Sequence, residues 1–173
     1  MIAYKGFNKD MTCHFGKGIF QYEVGKTYTE KYADAHERGF HCAQNPLDCL
    51  KWYGDRQDKI CIVEAAGDIS EDGQDTKIAC TKMKILRELT RHEFVCECIK
   101  YIARHPDIEH TRVNNDKGTA INGFVIVKGK DPKAKGKDGD ILGLLKTEGN
   151  AVTAAAVYVV GEDVKADTYK GIE

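Results

Sequence analysis

The chain has 173 residues, enough for one full domain with a core and a small appendage. At this length folding buries roughly 70% of the unfolded surface, so neither disulfides nor metals are needed for stability. Apolar residues make up 42% and charged residues 31%, and 26 basic against 27 acidic residues leave a formal charge of −1. That balance excludes a general nucleic-acid coat and a polybasic membrane-surface protein, while leaving room for local patches. No apolar run approaches the roughly 18 residues of a membrane span. The start, Met1-Ile2-Ala3-Tyr4-Lys5-Gly6, lacks the charged-then-apolar pattern of a signal peptide, so a cytoplasmic protein with no membrane partner is expected.

Residues 2–7 predict a first strand, closed by the polar turn Asn8-Lys9-Asp10, and Gly16-Lys17-Gly18 predicts another turn. Phe20-Gln21-Tyr22-Glu23-Val24 alternates at period two, the pattern of a half-buried strand. Thr27-Tyr28-Thr29 restarts an extended piece, and residues 30–38 suit one or more helical turns before Gly39. The best-defined local signal follows. Phe40-His41-Cys42-Ala43 is a short apolar strand. Asn45-Pro46-Leu47-Asp48 then supplies an N-cap, a proline at the first helical position and an acid at the third. The helix should run about two turns, with Leu47, Leu50 and either Trp52 or Tyr53 packing inward.

Residues 60–65 form a continuous apolar run of strand length, 68–75 an acidic turn, and 78–86 an alternating strand. Thr90-Arg91-His92-Glu93 is a capping box, and it opens the strongest helix of the chain, with Phe94, Val95, Cys98, Ile99 and Ile102 as its apolar stripe. Pro106 ends it. Residues 110–119 read as a polar linker, 123–127 as a strand and 128–140 as a Lys/Gly/Asp-rich loop. Residues 141–146, 151–160 and 164–169 read as further strands, the last two joined by a hairpin turn at Gly161-Glu162-Asp163. The expected fold is α+β: a small mixed or antiparallel split sheet with two main helices over residues 1–108, then a small β-rich appendage over 109–173.

The seven cysteines are odd in number and include no C-x-x-C pair, so reduced core thiols are expected. Cys96 and Cys98 would point about 200° apart on a helix. The alternative is a zinc site built from distant cysteines with His14, His36 or His92. No Walker loop, nucleophile elbow, zinc-protease motif or dinucleotide fingerprint is present.

Tyr4-Lys5-Gly6-Phe7, the run from Phe20 to Tyr28, and Gly39-Phe40-His41-Cys42 with Asn45-Pro46-Leu47-Asp48 resemble an uncharacterised family of phage and prophage proteins. The likeness covers roughly the first 105 residues and extends to short segments near the end, residues 134–140 and 166–169. It implies a biological setting in a bacterial host and no reaction. A second resemblance is to the ADP-ribosyltransferase fold. Tyr4-Lys5-Gly6 is similar to its early apolar-His-Gly strand, and Gly39-Phe40-His41-Cys42-Ala43 with the helix ending at Tyr53 is similar to its Gly-x-Tyr-Phe-Ala strand and short helix. That likeness implies NAD as cofactor and a cleft where a ring stacks on nicotinamide, with Tyr4, Lys5, Gly6 and Tyr53 as ligand-binding residues. Lys5 stands where the family has histidine, and His41 stands where it has the stacking tyrosine. The carboxylate that such chemistry needs beside an oxocarbenium-like ribose would be Glu88, with Glu93 second. His41 and Glu88 are thus the candidate catalytic residues. The same side chains also fit plainer roles: His41 as a satisfied strand residue, Trp52 and Tyr53 as packing, and Glu88 as a solvated junction residue.

Lys128, Lys130, Lys133, Lys135 and Lys137 crowd one segment, diluted by Asp131, Asp138 and Asp140. Lys130, Lys133, Lys135 and Lys137 are the candidate nucleic-acid or partner contacts, although the loop holds no aromatic residue for base stacking. The leading functional expectation is a phage or prophage accessory protein that binds and inhibits a host protein or ribonucleoprotein complex, in the manner of an anti-CRISPR. The alternatives are a diverged NAD-dependent ADP-ribosyltransferase acting on a host target and a virion-associated structural protein.

Overall fold

A computed structural model of the chain describes residues 1–13, 18–55, 57–71 and 73–172. The predicted turn at Gly16-Lys17, the zinc candidate His14 and Asp72 of the acidic turn lie outside them. Strands take up 51% of the structure and helix 12%, so the fold is mostly β rather than clearly α+β. The backbone contacts divide the chain into two units, Met1–Leu89 and Thr90–Glu173.

The first unit contains β1 (Ile2–Phe7), β2 (Thr12–Cys13), β3 (Phe20–Gln21), β4 (Thr27–Thr29), β5 (Phe40–Ala43), the 3-10 helix Pro46–Lys51, β6 (Lys59–Glu71) and β7 (Lys77–Glu88). Its main sheet runs β4-β7-β5-β1-β6, and β6 also pairs with β7, so the ring β7-β5-β1-β6 closes on itself. Every pairing in that ring is antiparallel. Closure removes two sheet edges and buries both flanks of β1, whose last five residues are all buried.

Several local expectations give way to tertiary demands. Only Phe20–Gln21 of the predicted strand 20–24 pairs, because Tyr22 turns inward to a ring cluster with Phe7, Phe20, Tyr28 and Phe40 at centroid separations from 4.7 to 6.3 Å. Residues 30–38 form no helix. Asp34 and Arg38 exchange both backbone hydrogen bonds, and the Asp34 carboxylate accepts from the His36 N–H at 2.8 Å, so side chain and backbone together close a turn. The first half of the acidic stretch 68–75 is strand, since β6 continues to Glu71 opposite β7.

The second unit contains α1 (Arg91–Arg104), β8 (Val113–Thr119), β9 (Phe124–Lys135), β10 (Ile141–Glu148), β11 (Ala151–Val159) and β12 (Lys170–Gly171). The capping box is present in both directions, and the five stripe residues of α1 are all buried. The helix packs on the sheet β11-β10-β9-β12, where Phe94 meets Phe124 edge-on at 5.6 Å. Gly143 leaves room for it: a Cβ there would come within 2.8 Å of Val95 and 3.1 Å of Ile99. The opposite face carries a second core of Val125, Val127, Leu142, Leu144 and Val160. The helix α1 packs on β9, β10 and β11 and groups with these later strands.

Two polar stretches expected as linker and loop are strands, β8 and the second half of β9. Their buried positions are filled by Gly118, Pro132, Ala134 and the adjoining Gly136, small residues that carry little hydropathy signal. Residues 164–169 form no regular strand; β12 begins at Lys170. Gly161-Glu162-Asp163 makes a tight turn in which Asp163 accepts from the Val159 N–H at 2.7 Å, and Val160 bridges Val164 in parallel, so no hairpin forms. Among the described residues no helix is long and apolar enough to cross a membrane.

A thiol- and aromatic-lined recess beside the first strand

The first unit holds a recess of about 440 Å³ at the corner where β5 passes into the 3-10 helix beside β1. That corner is fixed locally. Asn45 caps the helix by accepting from the Leu47 N–H at 3.1 Å, and Pro46 occupies its start. The buried Asp48 carboxylate accepts from the Thr76 hydroxyl at 2.6 Å and the Thr76 N–H at 3.2 Å, which ties the helix to the start of β7. The expected short capped helix is a 3-10 helix of six residues. It turns Tyr53 inward and leaves Trp52 40% exposed.

Tyr4, Lys5, Gly6, His41 and Tyr53, five residues singled out by the sequence, all line the recess. Tyr4 sits opposite Ala43 in the β1–β5 pairing. Lys5 is only 8% exposed. Its ammonium donates to the His41 carbonyl oxygen at 2.8 Å and lies 5.5 and 5.4 Å from the Phe7 and Tyr22 ring centroids. No carboxylate pairs with it among the described residues. A buried cation held by a carbonyl dipole and two ring faces is positioned to receive an anion.

His41 is half-buried, and burial first and the Lys5 charge second push its pKa down. Its Nε2 lies 3.2 Å from the Ala35 carbonyl oxygen, which can only accept. Nε2 therefore carries the proton and Nδ1 the lone pair, giving a neutral imidazole at the recess wall. Burial raises the Tyr22 and Tyr53 hydroxyls, with Cys13 contributing to both, so each remains a protonated phenol.

Glu88 is elsewhere. Lys5 pairs with Cys61 and Cys61 with Glu88, so the carboxylate stands two strands away, outside the lining, with Lys59 Nζ at 2.8 Å. Glu93 is committed to the α1 cap, where it accepts from the Thr90 N–H at 2.8 Å. The carboxylate that does line the recess is Glu30, just beyond β4, and it is the one acidic side chain in the lining among the described residues. Glu30 and Lys77, the second lining lysine, sit in no motif and escape sequence reasoning. The aromatic spacing of Phe20, Tyr22, Tyr28 and Phe40 is the signal that could have revealed the wall they complete.

All seven cysteines are free thiols, and only Cys96 is not buried. Cys13, Cys42 and Cys49 reach the recess. Burial pushes the Cys49 and Cys61 thiols up to about 12. Cys42 is held protonated as it donates to Cys80, and the same bond pulls Cys80 down to about 7. Among the described residues no three His, Cys, Asp or Glu side chains converge as metal ligands would. His36 lines the recess, while His92 lies in α1, 3.8 Å from Cys96 Sγ.

The lysines of the predicted basic loop lie on or beside β9 in the second unit. Lys133 pairs with Asp131 at 2.7 Å, and Lys135 sits 5.2 Å from the Tyr169 ring centroid. Lys130 and Lys137 are exposed.

Residues 1–97 match a domain family described as a domain of unknown function, DUF7666. The chain belongs to the DUF7666 family. The matched span takes in the whole first unit, so the recess is a feature of the DUF7666 part of the chain, whereas β8–β12 lie beyond the match. No curated protein and no solved structure matches the chain.

Proposed function

We propose that the DUF7666 unit binds a small anionic ligand bearing a flat ring, of the nucleotide class, in the recess beside β1. The observation that carries this reading is the buried Lys5 ammonium, which has no carboxylate partner among the described residues and faces a wall of aromatic rings. The recess volume falls in the range of small-molecule sites, and charged or polar side chains (Lys5, Lys77, Glu30, His36, His41) line it beside aromatic ones. Lys5 and Lys77 supply the positive charge for phosphate, and Tyr53, Phe40 and Trp52 supply ring faces.

NAD fits this donor set. Lys5 would hold its phosphates, an aromatic face would stack on nicotinamide, and Glu30 would set a negative charge on the same recess. Bound there, NAD would supply an ADP-ribosyl group as nicotinamide departs. This is the diverged ADP-ribosyltransferase reading with Glu30 in the role first expected of Glu88. In the setting that the phage-like motifs imply, the host component acted on would be a cytoplasmic protein or ribonucleoprotein complex. An inhibitor that works by surface contact alone has no need of such a recess, which places ligand binding first.

The test is a thermal-shift series with NAD, ADP-ribose, ATP and adenosine. The phosphate-bearing ligands should raise the melting temperature and adenosine should not. Nicotinamide release in host lysate, lost in Glu30→Gln and kept in Glu88→Gln, would establish the transferase step. No shift with any of the four ligands would refute the reading.

A further inference from the structure

The second unit carries a basic cluster that the recess does not use. Lys117 on β8 stands directly opposite Lys133 on β9, and Lys135 follows two residues on, so three lysines share one face of paired strands. Like charges placed directly opposite in a sheet cost stability. Asp131 relieves Lys133, but Lys117 and Lys135 have no carboxylate partner among the described residues. Their ammonium groups converge on one ring instead, Lys117 Nζ at 4.1 Å and Lys135 Nζ at 5.2 Å from the Tyr169 centroid. Tyr169 is 39% exposed and immediately precedes β12, whose Lys170 pairs beside Ala134. Fold formation thus brings to the lysine-rich segment the aromatic side chain that its own sequence lacks.

We propose that this face, centred on Lys117, Lys135 and Tyr169, binds single-stranded nucleic acid. Two convergent ammonium groups match successive backbone phosphates, and a phosphate that draws them off the ring leaves Tyr169 to stack on an unpaired base. A duplex offers the phosphates but keeps its bases stacked inside, so it would engage the lysines and not the ring. The site lies beyond the DUF7666 match and stands independently of the ligand proposed for the first unit.

Fluorescence anisotropy of the full chain with a labelled mixed-sequence single strand of about 15 nucleotides, in DNA and RNA forms, tests this directly. The expected result is saturable binding at low salt, weakened at least about tenfold in Lys117→Gln/Lys135→Gln, with the slope of log K against log salt shallower by about 1.4. Tyr169→Leu should weaken binding several-fold, and Tyr169→Phe should restore it, because the ring and not the hydroxyl is used. All three substituted positions are solvent-accessible, and unchanged circular dichroism confirms folding of each variant. No binding at low salt, equal binding in the variants, or a duplex of the same length bound as tightly as the single strand would each overturn the proposal.

Discussion

The ring of Tyr53 lies against the backbone of Gly6: a Cβ at that position would come within 2.4 Å of Tyr53 Cδ2 and 2.6 Å of its Cβ and Cγ. The helix end and β1 therefore meet at a distance that only glycine allows, and this contact shapes the floor of the recess. Gly6→Ala should destabilise the protein by about 1–3 kcal/mol through overpacking. In a Tyr53→Gly background, which removes the Cβ as well as the ring, the same change should cost much less, since the clash has gone. Urea unfolding of the four proteins of this cycle measures the difference.

Asp48 joins the 3-10 helix to β7 through its two bonds to Thr76. Asp48→Ala strands the Thr76 donors at a buried corner and should cost about 1–3 kcal/mol. Thr76→Val also removes the hydroxyl that accepts from the Asn45 N–H at 2.8 Å, so the double variant should fall below Asp48→Ala, though by less than the sum of the two single changes. Chemical denaturation of the single and double variants checks this.

Folding keeps His41 neutral by lowering its pKa below the ordinary 6.5. As pH falls through 6.5, the unfolded chain takes up a proton that the folded chain still refuses, so stability is full above that value and declines below it. His41→Gln should flatten this slope. Unfolding free energies of both proteins about one unit above and one unit below pH 6.5 reveal it.

Thiol chemistry follows burial. Cys96 is the one cysteine that is not buried, although partial burial raises its pKa and slows it. Titration of the native protein with an aromatic disulfide reagent should show one slow-reacting thiol, abolished by Cys96→Ser. Cys61, Cys80 and Cys98, fully buried and outside the recess lining, should react only after denaturation.

Much of this architecture is legible in the chain. Residues 40–53 announce a strand and capped helix through Asn45, Pro46 and Asp48, and Thr90 with Glu93 announces α1, because caps and period are local physics. The recess follows from the first of these signals and places Tyr4, Lys5, Gly6, His41 and Tyr53 together. What escapes is what distant pairing decides. The core side of β8 and late β9 is built from Gly118, Pro132 and Ala134, so neither stretch looks amphipathic. Glu88 reads as a strand-end acid near the cleft, yet the register of β6 against β7 sets it across from Cys61 and beside Lys59. Glu30 takes its place in the lining because its backbone continues β4, the N–H donating to the Thr81 carbonyl oxygen on β7 at 2.8 Å.

The account rests on the Lys5 ammonium as an anion receptor. Isothermal titration of NAD into the wild-type chain and into Lys5→Met, a substitution that keeps the side chain's length and removes its charge, is the most direct measurement. Saturable binding to the wild type, weakened at least about tenfold (~1.4 kcal/mol) in Lys5→Met, is the predicted result. Equal affinity in the two proteins, or no binding to a wild type shown to be folded, would contradict it.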